Sequence, residues 1–416
     1  MNLALLSVAA LALAIIVSCV TTLNVGVLAI ALAWIVGVEV GKMPVATVMG
    51  GFPGQLFLTL AGVTLLFTLA QGNGTLDRVA HYAVRACRGN RGVIPIMFFL
   101  LSAGLASIGP GNIATAALMA PMAMATAGRG GIPLFLMAIM VGNGANAGSL
   151  SPFAPTGIIV SGIMARIGMT GYEGRTYVYN LLAHALVAFA GYFLFGGWKL
   201  FAARPSGASS DGDTPLTDEG VLEIRHMITL GVIALLLVSV IFFDVNVGMG
   251  AFTAAVILVL FRLADDREAL RRMPWSVIVM VSGVTVLIAV LEKAQGIDLI
   301  VSQIARFATR STLTGEVALL TGLVSVYSST SGVVLPAFLP MVPGLAKQFA
   351  GVDPFAVATA MNIGGHLVDV SPLSTIGALC IASAPIHGDS RDLFNKLLAW
   401  GLSMSVVGAA ICYLLL

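Results

Sequence analysis

Two stretches of this chain, 220 residues apart, interrupt apolar sequence with nearly the same pattern of glycine, proline and small polar residues. The first covers 142–152 (GNGANAGSLSP) and continues to Thr156 and Gly157. The second covers 362–372 (NIGGHLVDVSP) and continues to Ile376 and Gly377. Interrupted membrane helices at matching positions of two halves indicate the binding site of a transporter. The chain is therefore predicted to consist of two related halves around one polar centre.

The composition predicts an integral membrane protein whose main partner is the lipid bilayer. Hydrophobic residues make up 58% of the 416 residues and charged residues only 10%, whereas a soluble domain carries about 25% charge. No basic stripe with interleaved aromatic residues predicts a nucleic-acid partner. The four cysteines lack the spacing of a zinc or disulfide framework. No cofactor is predicted.

The fold class predicted is an all-α polytopic membrane protein. A spanning helix needs about 20 apolar residues, and 3–20 is expected to be a retained first helix because no basic residue precedes it. Two longer segments, 132–165 and 354–385, are long enough to cross but are broken in the middle, which brings the total to about ten spans. Eight stretches are uninterrupted candidates: 3–20, 23–40, 55–71, 176–200, 226–243, 246–263, 275–292 and 393–416.

Two further apolar segments, 93–126 and 317–349, have polar, glycine-rich centres at 107–112 and 328–332. Each arm has only about 14 residues, which is too short to cross a bilayer. These segments are predicted to be re-entrant hairpins, which enter and leave the membrane on the same side.

The two predicted repeats cover 1–200 and 226–416, and the hydrophilic stretch 201–225 joins them. Each repeat contains three helices, a hairpin, a broken helix and a closing helix. Because five crossings is an odd number, the second repeat is expected to be inverted relative to the first.

The distribution of basic residues supports this topology. The topology places the 21 Lys and Arg residues unequally on the two faces of the membrane. Fourteen fall on the face opposite the termini, and the positive-inside rule assigns that face to the cytoplasm. Both termini are therefore expected outside, in a bacterial inner membrane. The seven residues on the terminal face are Lys42, Arg166, Arg175, Lys293, Arg306, Arg310 and Lys347.

Four breaks in apolar sequence predict a solvated centre, since irregular backbone in a bilayer is tolerated only where it lines a cavity or is buried in protein. Each break exposes a helix N-terminus with about +0.5 charge, so four of them suit a small dianion without any Lys or Arg. The freed carbonyls suit a small cation. The predicted substrate-binding residues are Asn112, Ser151, Thr156, Thr330, Ser331, Ser371 and Thr375. The candidate Na⁺ or proton sites are Asn112, Asn146, Ser149, Ser329, Thr330, His366 and Asp369.

His366 and Asp369 are three residues apart in the second break, close enough in a helical turn to interact. An acidic residue inside a membrane is costly, so a functional role is expected. Asp369 could bind Na⁺ or carry a proton, and His366 could steady Asp369 or the substrate. The alternative is an internal ion pair that fixes the break. Likewise, each small polar residue could serve only to stabilise a helix break or to allow close helix packing.

Six stretches resemble the malonate carrier (MatC-type) dicarboxylate transporters: 24–30, 51–53, 73–76, 108–114, 144–148 and 151–157. The similarity is strong over about 1–165. The wider ion-transporter superfamily, including the divalent-anion/sodium symporters, has a similar order of hairpins and broken helices. The resemblance implies a homodimer in which a domain containing the hairpins moves against a scaffold.

In those symporters each hairpin tip reads Ser-Asn-Thr, and each broken helix ends near Thr-Pro-Pro-Asn. Counting back from Pro121 places Asn112 at the first tip, and only this residue matches. Counting back from Pro340 places residues 330–332 at the second tip, which is a looser match. Residues 154–156 partly match the other motif.

These patterns predict a secondary active transporter, not an enzyme, for small dicarboxylates such as malonate or four-carbon acids. The coupling ion would be Na⁺ or H⁺. One alternative is a cation/proton antiporter or an inorganic-anion carrier of the same superfamily, which a central aspartate pair would favour. Only Asp369 is present, with no acidic counterpart near Ser149. An ion channel and a membrane enzyme are further alternatives, and an enzyme would need a cluster of metal ligands or a nucleophile.

Overall fold

The structure is a computed structural model that describes residues 2–21, 23–79, 90–201, 222–385 and 390–416. Within these residues the chain is helical and contains no β-strand, which confirms the all-α class. Most of the predicted linker (202–221) and part of the basic stretch 78–91, including Arg85 and Arg88, lie outside the described residues.

The first half contains nine described α-helices. Helix α2 continues as the π-helix Trp34–Val40, and α9 is followed by the 3-10 helix Gly197–Phe201. The α-helices are α1 Leu3–Val20, α2 Val25–Ala33, α3 Val45–Met49, α4 Gly54–Gly72, α5 Val93–Ile108, α6 Gly111–Gly130, α7 Leu134–Gly148, α8 Pro155–Arg166 and α9 Glu173–Leu194.

The second half contains eleven described α-helices and three short helices of other types. The short helices are the π-helix Thr330–Val334 and the 3-10 helices Leu339–Met341 and Val368–Val370. The α-helices are α10 Ile224–Phe243, α11 Val247–Leu260, α12 Asp266–Arg272, α13 Trp275–Lys293, α14 Gly296–Phe307, α15 Leu313–Ser325, α16 Leu335–Phe338, α17 Val342–Gln348, α18 Pro354–Leu367, α19 Thr375–Ala382 and α20 Ser390–Leu415.

Six stretches of the described chain are long and apolar enough to cross a membrane. Shorter apolar helices of 10–17 residues accompany them, so the protein is an integral membrane protein. The count of about ten spans stays a prediction. The six stretches are Gly54–Gly72, Glu173–Leu194, Ile224–Phe243, Trp275–Lys293, Pro354–Ala382 and Ser390–Leu415.

Two predicted spans have different internal structure from the uniform helices expected. The segment 23–40 changes from α-helix to π-helix at Trp34. The segment 176–200 ends its α-helix at Leu194, because Gly196 follows with a φ of +78° that a continuing helix does not allow. Helix α14, whose apolar residues lie on one face, was not among the predicted elements.

Helix packing follows the same pattern in both halves. Helix α5 packs on α7 as α15 packs on α18, and α9 packs on α7 as α20 packs on α18. Across the halves, α6 packs on α19 as α16 packs on α8. Contacts between the halves also match among the earlier helices of each half: α4 packs on α11, and α13 packs on α2. The second arm of each broken helix therefore lies against the opposite half.

Gly144 and Gly364 occupy equivalent positions where a broken helix contacts the neighbouring helix closely. A Cβ atom on Gly144 would lie 2.5 Å from the Phe99 carbonyl oxygen, and one on Gly364 would lie 2.2 Å from the Ala318 carbonyl oxygen. Helices without side chains at the interface can approach closely, which is a common means of association in membranes. The two glycines therefore set the distance between α5 and α7 and between α15 and α18.

We expect Gly364→Ala to lower the free energy of unfolding by about 1–3 kcal/mol, because the added methyl group must push two packed helices apart. Thermal unfolding of the protein in detergent measures this change. Gly231→Ala is the matched control, since a Cβ atom there meets nothing within 4 Å. Equal melting temperatures for the two variants would contradict the close approach of α15 and α18.

Candidate functional site

Each of the two predicted broken helices is interrupted by a short non-helical segment. In the first half, α7 ends at Gly148 and α8 begins at Pro155. In the second half, α18 and a 3-10 turn end at Val370, and α19 begins at Thr375. The chain turns in the same way at both breaks: the Ala154 amide donates to the Ser151 carbonyl at 3.0 Å, and the Ser374 amide donates to the Ser371 carbonyl at 3.0 Å.

Glycine is required at the same place after each break. A Cβ atom on Gly157 would lie 1.9 Å from the Ser151 carbonyl oxygen, and one on Gly377 would lie 2.1 Å from the Ser371 carbonyl oxygen. Real Cβ atoms do not make contacts this short. The first turn of each second arm can therefore fold back over its break only without a side chain, which explains the duplicated glycine.

A cavity of about 200 Å³, which we call the site cavity, lies where the second-half breaks meet the tip of the first hairpin segment. Most of its lining is polar, and Asn112 is the polar residue that the first half supplies. Asp369 is the one charged residue among the described residues that line it. The lining residues are Asn112, Ile113, Tyr327, Ser328, Ser329, Thr330, Ser331, Asp369, Leu373, Ser374, Thr375 and Ile376.

A second cavity of about 320 Å³, which we call the vestibule, adjoins the site cavity. The two share Asn112, Ile113 and Ser331 in their linings. The vestibule extends between α4 and the start of α8, where Thr156 lines it, and reaches Arg272 at the end of α12. Asn112 and Ser331 thus form a partition between the polar site cavity and the more apolar vestibule.

Asn112 also connects the first hairpin segment to the first broken helix. Its side-chain amide donates to the Asn146 Oδ1 atom at 2.9 Å. Asn146 is fully buried, and its backbone carbonyl accepts from the Ser149 hydroxyl at 2.7 Å and from the Asn180 amide at 2.8 Å. Asn146 and Ser149 therefore lie behind Asn112 and line neither cavity.

Thr330 and Asp369 make the corresponding connection in the second half. The Thr330 hydroxyl donates to the Asp369 carboxylate at 2.7 Å and also lies within hydrogen-bond distance of Ser325. Ser329 is the N-cap of the following π-helix, where its hydroxyl accepts from the Gly332 amide at 3.1 Å. The structure thus places Ser329, Thr330, Ser331, Thr375 and Asp369 around one space.

Besides Asn146 and Ser149, three further predicted site residues lie away from both cavities. The Ser151 hydroxyl donates to the Ser107 carbonyl at 2.7 Å, and Ser371 is fully buried with its hydroxyl accepting from the Leu373 amide at 3.3 Å. The His366 Nδ1 atom lies 2.9 Å from its own helix's Asn362 carbonyl. Among the described hydrogen bonds and ion pairs, His366 is not joined to Asp369.

The site cavity is also lined by Tyr327, Ser328 and Ser374, which were not among the predicted site residues. Ser374 is the N-cap of α19, where its hydroxyl accepts from the Gly377 amide, and it also bonds the Asp369 carbonyl. A serine immediately before an apolar helical segment is the usual signal for an N-cap. That signal could have identified Ser374, whose first-half counterpart is Ala154.

Interrupted helices around a polar space, inside an apolar helical shell, are the architecture of a membrane transporter. The N-terminal part of the chain carries a family signature in agreement with this class. Residues 1–149 match the family model described as the N-terminus of the dicarboxylate carrier protein MatC, which confirms the predicted resemblance over that part of the chain.

The fold is similar to two solved transporter structures. The YdaH transporter of Alcanivorax borkumensis is 16% identical with a TM-score of 0.60, over 88% of this chain and 87% of that chain. MtrF of Neisseria gonorrhoeae, described as illuminating a class of antimetabolite efflux pumps, is 14% identical with a TM-score of 0.61, over 92% of this chain and 84% of that chain. No curated protein matches the chain by sequence. The chain is therefore similar to membrane transporters both in its N-terminal sequence and in its fold.

Proposed function

We propose that this protein is a secondary active transporter of small dicarboxylates, malonate-like or four-carbon, coupled to Na⁺ or H⁺. The observation that carries the proposal is the lining of the site cavity. It combines hydroxyl and amide groups from the breaks of both halves with a single carboxylate and, among the described lining residues, no Lys or Arg. A volume of about 200 Å³ suits a solute of a few carbon atoms.

Helix N-termini are the proposed source of positive potential. The first residues of α6 and α19 border the site cavity, and those of α6 and α8 border the vestibule. Each terminus is equivalent to about +0.5 charge. Free backbone amides and the donors of Asn112, Ser331 and Thr375 can then bind carboxylate oxygens, as anions are bound at helix N-termini elsewhere.

Asp369 supports ion coupling, because an ionised carboxylate repels a dianion in the same small cavity. Two like charges about 5 Å apart repel by roughly 3 kcal/mol at an effective dielectric constant near 20. A cation bound at Asp369, or a proton on it, removes that repulsion. Substrate and cation would therefore bind together, with Thr330, Ser329 and the Asp369 carboxylate as oxygen ligands for Na⁺.

Alternating access is proposed to follow from the repeated packing pattern. The predicted re-entrant hairpins 93–126 and 317–349 would move with the two broken helices against a scaffold of the flanking helices. The matching helix contacts of the two halves support two inverted repeats of five crossings each. We further propose a homodimer in the bacterial inner membrane with both termini outside.

The test is uptake of labelled dicarboxylate by proteoliposomes under an imposed Na⁺ or H⁺ gradient. We expect accumulation of malonate or a four-carbon dicarboxylate with one of the two gradients. A channel would instead give dicarboxylate flux that does not depend on the Na⁺ or H⁺ gradient, and it would show no counterflow. Export, as in an efflux pump, would appear as release from preloaded vesicles. Equal uptake with and without either gradient would contradict coupling.

Thermal stabilisation identifies the anion and the cation in one screen. A ligand that binds only the folded state stabilises it by about 2.7 kcal/mol at one hundred times its Kd. We expect a dicarboxylate to raise the melting temperature in detergent, and to raise it more when the coupling ion is present. Monocarboxylates of the same length are the control. No shift with any dicarboxylate, at two pH values with and without Na⁺, would contradict the proposed substrate class.

A further inference from the structure

The vestibule has its own chemistry, distinct from that of the site cavity. Among the described residues that line it, Arg272 alone is charged, whereas Asp369 alone is charged in the site cavity. The two spaces meet at Asn112 and Ser331. A negative group therefore lies on one side of the partition and a positive group on the other.

Helix α4 provides a polar path between the partition and Arg272. Thr64, Thr68 and Gln71 all line the vestibule. Their spacing of four and three residues places them on one face of α4. The Thr64 and Thr68 hydroxyls donate to carbonyls of α4, those of Leu60 and Thr64, both at 2.6 Å. The remaining apolar lining makes this stripe the favourable route for a polar solute.

The arginine is available to a second carboxylate. Its Nε atom lies 2.7 Å from the Glu268 Oε1 atom one helical turn away, and both side chains are about half exposed or more, at 63% and 48%. An exposed ion pair of this kind contributes little to stability. The guanidinium has five N–H donors in a planar fork, which suits a carboxylate with two oxygen atoms.

We propose that Arg272 is the anion-recruiting residue of this transporter, binding a substrate carboxylate at the mouth of the vestibule before the substrate reaches Asn112 and Ser331. This inference rests on the proposed transport of dicarboxylates. Binding exchanges the Glu268 carboxylate for that of the substrate, so Glu268 is a competing partner. The charge pattern assigns the face that carries α12 to the cytoplasm, so Arg272 acts on cytoplasmic substrate.

The transport experiment compares Arg272→Gln with Arg271→Gln, an exposed neighbour outside the vestibule lining. In vesicles that present the cytoplasmic face, we expect Arg272→Gln to raise the KM for dicarboxylate roughly tenfold at low salt and to leave the maximal rate unchanged. At 1 M salt the Debye length falls to about 3 Å, so the difference shrinks. Glu268→Gln should lower the KM severalfold.

Two outcomes would overturn the inference: equal kinetics for Arg272→Gln and Arg271→Gln at low salt, or an equal effect of Arg272→Gln from both faces of the membrane. The maximal rate separates a folding defect from a loss of recruitment. A misfolded variant would lose maximal rate, whereas a variant that only recruits substrate less well would keep it. A wild-type protein that transports no dicarboxylate would contradict the proposed function. The role of Arg272 in attracting anions can then still be tested by a measurement that needs no transport.

That measurement is the reaction of Gln71→Cys with methanethiosulfonate reagents of opposite charge, in a protein whose four native cysteines are replaced. We expect the anionic sulfonatoethyl reagent to react faster, relative to the cationic trimethylammonium-ethyl reagent, when Arg272 is present. Adding Arg272→Gln should reduce the ratio of the two rates severalfold, while adding Arg271→Gln should leave it unchanged. An unchanged ratio in both cases would show that Arg272 does not attract anions into the vestibule.

Discussion

Replacing Asp369 by asparagine is expected to abolish the dependence of dicarboxylate uptake on the ion gradient. In the native protein, removal of about 3 kcal/mol of repulsion by a bound cation corresponds to roughly 100-fold tighter substrate binding. An uncharged carboxamide does not repel the dianion, so a bound cation has no repulsion to remove and this coupling factor should fall to near one. Exchange of internal for external substrate should persist, because the other donors in the site cavity are unchanged.

The measurement is uptake by proteoliposomes with and without the gradient, together with counterflow. Asp244→Asn is the matched control, since it makes the same chemical change at an exposed residue that ends α10. Asp244 has a φ of +52°, a conformation that asparagine adopts readily. Gradient-driven accumulation by Asp369→Asn at the native level would show that the coupling ion binds elsewhere.

Asn112→Ala is expected to raise the KM for dicarboxylate by roughly 10- to 150-fold. A hydrogen bond to a charged group contributes about 1.5–3 kcal/mol, and Asn112 borders both cavities on the proposed substrate path. The substitution also removes the bond to Asn146 that holds the first hairpin segment to the first broken helix. Ser331→Ala, at the other side of the partition, should show a smaller increase in KM.

Uptake kinetics over a range of substrate concentrations measure this effect. Asn395→Ala, an exposed position on α20, is the control for the loss of an amide side chain. Unchanged kinetics in both Asn112→Ala and Ser331→Ala would contradict the proposal that the substrate passes between these two residues.

The breaks were predictable from the sequence because their cause is local. Glycine, proline and small polar residues replace the apolar residues that a spanning helix needs, and this happens twice at the same spacing. The need for glycine at positions 157 and 377 follows from the contact of each residue with a carbonyl six residues earlier. Helix ends were less predictable, as at Leu194, where a left-handed glycine ends the helix before the apolar sequence ends.

Which polar residues face a cavity was predictable only in part. Thr330, Ser331, Thr375 and Asp369 line the site cavity, whereas Ser371, from the same break, has its hydroxyl in a local turn. Both kinds of residue are small and polar in similar sequence, so composition does not separate them. The direction of each side chain depends on how the turn is packed against α20, where a Cβ atom on Gly401 would lie 2.5 Å from that of Ser371.

The sequence by itself determined that the chain is an all-helical membrane protein with two matching interruptions, since hydropathy and backbone-breaking residues act over a few helical turns. Only the tertiary structure decided that Asn112 and Ser331 line the same two cavities, and that Arg272 and Asp369 line one of these cavities each. The physical reason is that both cavities are formed by residues from different halves. Their positions depend on packing such as that of α6 on α19, which no local pattern encodes.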